Sequence, residues 1–402
     1  MKNDYSSYIS DTAKELQPSG IRKFFDLAAS MEGVISLGVG EPDFITPWNI
    51  REATILSLEQ GFTSYTANPG LLELRQEICN YLSYRFGVQY DPKSQIIVTI
   101  GASQAIDLAF RAILNQGEEV LIVEPAFVSY APLVSLAGGT PVPVSTSPTN
   151  GFKVTAEQIE SAITEKTKAI LICSPNNPTG STLTKKDLEE IAEVVKKHDL
   201  IVISDEIYAE LTYDEVFTSF AAIEGMYDRT ILINGFSKGF AMTGWRLGYL
   251  AAPKPFVEVM LKIFQYTTMC APNMLQHGAI EALRNTYHEV EAMQRSYRRR
   301  RNFMVQTLNQ IGLDCHTPGG AFYVFPSIRA TGLTSEQFAE ELLMQEKVAV
   351  VPGNVFGASG EGYVRCSYAS SMAQLQEALK RMQRFIESKG VSPKTQPEEI
   401  KN

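Results

Sequence analysis

The 402-residue chain has a formal charge of −9 and is 44% hydrophobic and 20% charged, an ordinary globular composition long enough for two domains. The acidic balance argues against a nucleic-acid partner, no apolar run reaches the roughly 18 residues of a membrane span, and the polar start, Met1 to Ser10, does not read as a secretory signal. Four histidines without ligand spacing predict no metal. Five scattered cysteines (Cys79, Cys173, Cys270, Cys315, Cys366) predict reduced thiols in a cytoplasmic protein.

In chain order, Ile21 to Ser30 is expected to be a helix. Gly38 and Gly40, followed by Pro42, cannot continue a helix and let the backbone approach a ligand closely. Residues 48–61 read as an amphipathic helix, Tyr65 to Gly70 as a turn, and Leu71 to Phe86 as another helix. From residue 95, apolar runs alternate with helical stretches: Ile96–Ile100, Val120–Val123, Ala169–Cys173, Leu200–Ser204 and Thr230–Ile233. Short all-apolar strands separated by helices predict an α/β fold, with a mostly parallel central sheet covered by helices on both faces. In such sheets ligands bind at the carboxyl ends of the strands, and the polar motifs of this chain fall there.

Gly101-Ala102-Ser103-Gln104 opens the helix expected over Ala105–Leu114. Small residues at a helix start leave free N–H groups, which suit a phosphate but equally an ordinary cap. Phe127 follows a strand end by a few residues and could stack on a flat ring or fill the core. Asn177 lies in the turn Ser174 to Gly180. Asp205 ends an apolar strand, where a buried acid needs a partner, although an N-cap role fits as well. After Thr230–Ile233 comes Asn234-Gly235-Phe236-Ser237-Lys238-Gly239-Phe240-Ala241-Met242-Thr243-Gly244-Trp245-Arg246-Leu247-Gly248. Two cations in an apolar loop are costly unless something anionic or covalent meets them. A buried lysine suits Schiff-base chemistry and an arginine suits a phosphate. Pyridoxal phosphate (PLP) carries both an aldehyde and a phosphate.

Residues 253–312 read as largely helical, with one long run from about Gln276. The basic stretch Arg298 to Arg301 within it reads as a solvated face. Thr317 to Phe325 is expected to be a turn and strand, Ser335 to Glu346 a helix, and Val348 to Gly353 a short strand and turn. Arg365 lies in the strand-like Val364 to Tyr368. A last helix spans Gln374 to Glu387, and Val391 to Asn402 reads as a disordered tail.

The string Ser237-Lys238-x-x-x-Met242-Thr243-Gly244-Trp245-Arg246-x-Gly248, with Asn177-Pro178-Thr179-Gly180, Asp205-x-x-Tyr208 and Arg365 in order, resembles the class I/II, fold type I, PLP-dependent aminotransferases. The resemblance spans about Ile21 to Phe385. It implies a PLP-transferase fold with a large cofactor domain over 46–285 and a smaller α+β domain from 1–45 and 286–390. It implies that Lys238 holds PLP as a Schiff base and moves the α-proton. Asp205 would face the ring nitrogen, Asn177 and Tyr208 the ring oxygen, and Phe127 the ring face. Ala102, Ser103, Gln104, Ser237 and Arg246 would hold the phosphate, with Tyr65 reaching across from the other subunit of a homodimer. Gly40, Asn177 and Arg365 would bind the substrate carboxylate.

The implied activity moves an amino group from an L-amino acid to a 2-oxo acid by a ping-pong route. A PLP-dependent C–S β-lyase on the same scaffold would share nearly every residue. A non-catalytic PLP-binding sensor would need an added DNA-binding domain, for which the roughly 20 residues before Ile21 are too few. Two departures stand out. Many relatives have serine where Gly235 stands, and some aspartate-specific relatives have lysine where Ser103 stands, so an aspartate preference does not follow.

Overall fold

The computed structural model describes residues 5–18, 20 and 31–394. The helix expected over Ile21–Ser30 lies outside the described residues. The molecule is organised on a seven-stranded sheet: β2 (Ile96–Thr99), β3 (Glu119–Glu124), β4 (Thr140–Ser145), β5 (Thr167–Cys173), β6 (Ile201–Asp205), β7 (Thr230–Gly235) and β8 (Gly248–Ala251). Their order is β2-β8-β7-β6-β5-β3-β4. Pairings from β7 through to β4 are parallel, and β8 runs antiparallel to both β7 and β2. All five expected strands are present. The mostly parallel α/β reading holds, and the shifts at strand ends are one or two residues, as is usual for boundaries read from sequence.

Two strands were not foreseen. β4, Thr140 to Ser145, carries Pro141 and Pro143 opposite Val120 and Ile122. It occupies the edge of the sheet, the one place where a residue without an N–H is tolerated. β8 is only four residues long and begins two residues after Arg246, so it merged with the lysine loop in the sequence.

β1 (Ile35–Ser36) pairs in parallel with β10 (Val348–Ala349), while β9 (Tyr323–Val324), β11 (Val351–Pro352) and β12 (Val364–Ser367) form a second small sheet. These draw together the start of the chain and its last third. We propose the division into a large unit over 46–285 and a small one from the remainder, cut at the turn between helices Asn273–Asn285 and Tyr287–Ile311.

The single long helix expected from about Gln276 is in fact these two. Thr286 leaves helical geometry at φ −116°, ψ 10° and is fully buried. Its hydroxyl accepts from Asn49 Nδ2 at 2.9 Å. The Arg298–Arg301 run is a solvated face only in its first half, where Arg298 and Arg299 are exposed. Arg300 and Arg301 are buried, pairing with Asp43 and Asp214 and stacking over Tyr297 and Tyr213. A buried guanidinium needs such a partner, and neither acid is near in sequence. The stretch expected to be a disordered tail from Val391 is ordered over its described residues, 391–394. Val391 is buried, its N–H donates to Ile386 O, and Lys394 pairs with Asp314; residues 395–402 lie outside the described residues. All five cysteines are free, and every one but Cys270 is buried. Among the described residues, no helix is long and apolar enough to cross a membrane.

Directly behind the strand end of β6, Glu206 is fully enclosed. Its Oε1 accepts from Ser219 Oγ (2.7 Å), Ser204 Oγ (3.0 Å) and Phe220 N (3.2 Å). Burial pushes its carboxyl from 4.5 to about 7, against those donors. A carboxyl raised on folding binds its proton more tightly in the folded state. Its contribution is therefore fully favourable below 4.5 and is lost as pH rises through 7. Glu206→Gln keeps an oxygen for the same donors. Thermal unfolding across this range should show the variant gaining about 3 kcal/mol on the parent at the alkaline end, with a flatter pH profile; an unchanged profile contradicts the assignment.

Candidate active site

A cavity of about 700 Å³ opens at the carboxyl ends of β5, β6 and β7, beside the start of the helix Gly101–Ile113. Gly40, Ala102, Ser103, Phe127, Asn177, Asp205, Tyr208, Ser237, Lys238, Arg246 and Arg365 all line it. The residues following β3, β5, β6 and β7 converge because parallel strands end on one side of the sheet, and Gly40 and Arg365 are brought to the same cavity from outside that sheet. Two of them do not line it. The Gln104 side chain turns back, with Oε1 accepting from Ile100 N at 2.7 Å and Nε2 donating to Thr268 Oγ1. That side chain is tied to the residue before its helix and to the Thr268 hydroxyl, away from the cavity. Tyr65 is 81% exposed on the surface of the chain.

Lys238 follows β7 in the loop Phe236–Phe240, and its Nζ donates to Gly40 O at 2.6 Å. Burial lowers its pKa to about 8, Arg365 and Arg246 push the same way, and Glu41 and Asp205 oppose them. The lowered value makes the free base, the form that attacks a carbonyl, far more accessible than for an exposed lysine, roughly a tenth of the amine at pH 7.

Asp205 ends β6. Its Oδ2 accepts from Tyr130 OH at 2.6 Å and its Oδ1 from Ile207 N at 3.2 Å. Burial raises its carboxyl above the ordinary range, while Tyr130, Ile207 and Lys238 pull it back. A carboxylate this enclosed, held by a phenol and one amide, is short of a cation on its cavity side. Tyr130 was missed by the sequence reading. Its signal was a place three residues after Phe127, but its partner lies 75 residues on.

The helix at Gly101 begins four residues earlier than expected, so Ala102 and Ser103 lie in its first turn, which has neither a side-chain cap nor an acid. Its amides are left for an anion. The turn is packed tightly. Gly101 has φ +76°, and a Cβ there would lie 2.7 Å from an Arg246 Nη atom. A Cβ on Gly248 would lie 2.6 Å from Ala102 N. Only glycines let the strand and the arginine come this close to the amides. Arg246 itself takes a left-handed φ of +53° and donates to Thr243 O at 3.1 Å, which aims it at the same turn. Gly235 also has a steric reason: a Cβ would sit 2.9 Å from Gly248 Cα and 3.0 Å from Leu247 O. A serine there would push β8 away.

Arg365, in β12, is 3% exposed. It donates from Nη1 to Asn177 Oδ1 (2.9 Å) and from Nη2 to Gly38 O (2.7 Å). Its guanidinium lies between the rings of Tyr323 (4.4 Å) and Phe356 (4.9 Å), and its Nε has no partner. Tyr323, a second residue the sequence reading did not single out, also bonds Tyr208 OH at 3.0 Å. Burial raises both phenols, so they stay protonated donors.

One cavity therefore offers a buried free amine, an enclosed carboxylate short of a cation, an uncapped helix start beside an arginine, and a second arginine with donor capacity to spare. This set fits PLP: aldehyde, ring nitrogen and phosphate each meet a matching group.

The family model for aminotransferase class I and II matches residues 32–382. The protein called YugH in Bacillus subtilis (strain 168), whose name places it among the aminotransferases, is 68% identical over 381 residues, covering 95% of this chain and 99% of that one. An aspartate aminotransferase of Pyrococcus abyssi is 51% identical over 384 residues, with coverage of 95% and 99%. The crystal structure of an aromatic aminotransferase from Pyrococcus horikoshii OT3 superposes with a TM-score of 0.88 at 49% identity, covering 92% of this chain and 100% of that one.

Proposed function

This chain belongs to the aminotransferase class I and II family, and we propose that the cavity residues named above divide its reaction among them. The protein is a PLP-dependent aminotransferase of fold type I, acting on amino acids and 2-oxo acids. Bound PLP supplies an aldehyde to take the amino group and a ring that accepts charge from the substrate Cα. Lys238 would hold that aldehyde through its amine, and the same amine would move the substrate α-proton. Asp205, oriented by Tyr130, keeps a proton at the ring nitrogen. Asn177 and Tyr208 donate to the ring oxygen, and Phe127 covers a ring face. The Ala102 and Ser103 amides, Ser237 and Arg246 hold the phosphate. Arg365, with Gly40 and Asn177, receives the substrate α-carboxylate.

The observation that carries this reading is the lowered, enclosed Lys238 amine sharing a cavity with Asp205 and Arg365. A panel of amino donors against 2-oxoglutarate and pyruvate tests it. Parallel double-reciprocal lines, the mark of a two-stage transfer, are expected; pyruvate and ammonia released from cystathionine without any oxo-acid acceptor would contradict it. Arg365→Ala should raise the KM for amino acids and 2-oxo acids about 10- to 100-fold, and Arg365→Lys should recover little, because an ammonium cannot copy a two-pronged contact. A loss of thermal stability with KM unchanged would make Arg365 a purely structural residue.

We place the protein in the cytoplasm as a homodimer, with Tyr65 reaching the phosphate of a second copy. Exposed Tyr65, Tyr266 and Met269 support the dimer. Asn68 Nδ2 donates to Met269 O at 2.9 Å, so the segments bearing them adjoin, and apolar side chains gathered on one surface mark an interface.

A further inference from the structure

Glu124 ends β3, three residues before Phe127, and its carboxylate leaves the sheet towards the segment between β11 and β12. There it packs onto Gly357: a Cβ at that position would lie 2.3 Å from Glu124 Cδ and 2.4 Å from Oε2. Gly357 has φ 117° and ψ 163°, backbone open essentially to glycine alone. Burial pushes the Glu124 carboxyl up, and the facing amides of Ala358 and Ser359 pull it back. Two residues on, Ala126 N donates to Phe356 O at 2.8 Å. The exit of β3 thus grips Phe356–Ser359 at two points. Phe356 is one of the two rings that hold the Arg365 guanidinium, whose Nε has no hydrogen bond to fix it.

We propose that Glu124 is a positioning residue for the reaction: by gripping Gly357 to Ser359 it holds Phe356 against Arg365 and so fixes the group that receives the substrate carboxylate. This rests on the reading of Arg365 given above. The grip joins the strand that leads into Phe127 to the sheet that carries Arg365, so one carboxylate ties the ring-covering arm of the site to its carboxylate-binding arm. Gly357 is the other half of the device, because any side chain there would expel the carboxylate.

Steady-state kinetics of the holoenzyme test it with five variants: Glu124→Ala, Glu124→Gln, Gly357→Ala, Arg365→Ala and the double variant Glu124→Ala/Arg365→Ala. Glu124→Ala and Gly357→Ala, which break the grip from opposite sides, should each raise the KM for amino acid and 2-oxo acid about tenfold, with kcat within about twofold of the parent. Glu124→Gln, which still accepts a hydrogen bond, should stay close to the parent. In the Arg365→Ala background, Glu124→Ala should add no further KM increase, since residues acting through one another are not additive. An unchanged KM in both single variants overturns the proposal, as does a full additional increase in the Arg365→Ala background. An Arg365→Ala protein with parental KM identifies a failure of the arginine's own assignment instead.

Discussion

Lys238→Ala should give a folded protein whose transamination falls by about four orders of magnitude or more, the upper range of what a positioned general acid–base contributes. The geometry explains why no neighbour can substitute. Among the residues lining the cavity, the other cations are Arg246 and Arg365, and a guanidinium neither deprotonates at working pH nor attacks a carbonyl. The buried phenols of Tyr208 and Tyr323 are held protonated. Folding should survive, since removing this amine relieves a buried cation whose hydrogen bond is to Gly40 O. Thermal unfolding and a half-reaction assay with excess amino acid check both parts. The sign of the pH dependence follows from the amine's lowered value of about 8. In the cofactor-free protein the free base grows as pH rises through that value, so the rate of PLP capture should climb there.

Asp205→Ala should cost about two to three orders of magnitude in kcat, the usual loss on removing a single pre-aligned electrostatic group, and should weaken PLP binding. The carboxylate is enclosed by β6, Tyr130 and Ile207, so water cannot take its place cheaply. The variant also strands the Tyr130 hydroxyl. Asp205→Asn, which keeps an acceptor for Tyr130 but no charge, separates the two effects. Stability should return with asparagine while kcat does not. Half-reaction kinetics and equilibrium PLP titration of both variants are the measurements, and a kcat restored by asparagine would make Asp205 a hydrogen-bonding residue only.

The sheet was legible because its inner strands are short, apolar and covered on both faces, which is a pattern local to each strand. β4 escaped because Pro141 and Pro143 argue against a strand everywhere except at an edge, and edges are a property of the finished sheet. The residues lining the cavity were legible where a motif carried them, as with Lys238, Asn177 and Arg365. Tyr130 and Tyr323 were not, because their roles are pairings across 75 and 115 residues that no local pattern records. Gln104 looked like part of the phosphate turn because the sequence places it there, yet its long side chain finds the free amide of Ile100 first. Arg300 and Arg301 misled for a related reason: charge runs are usually solvated, and the acids that justify their burial come from elsewhere in the chain.

The account turns on the Lys238 amine being the group that captures the cofactor. Borohydride reduction of the purified protein in the presence of PLP, followed by peptide mass mapping, reads this directly. One pyridoxyl group on Lys238, absent from Lys238→Ala, is the predicted result. An adduct confined to other lysines, or none at all, would contradict it.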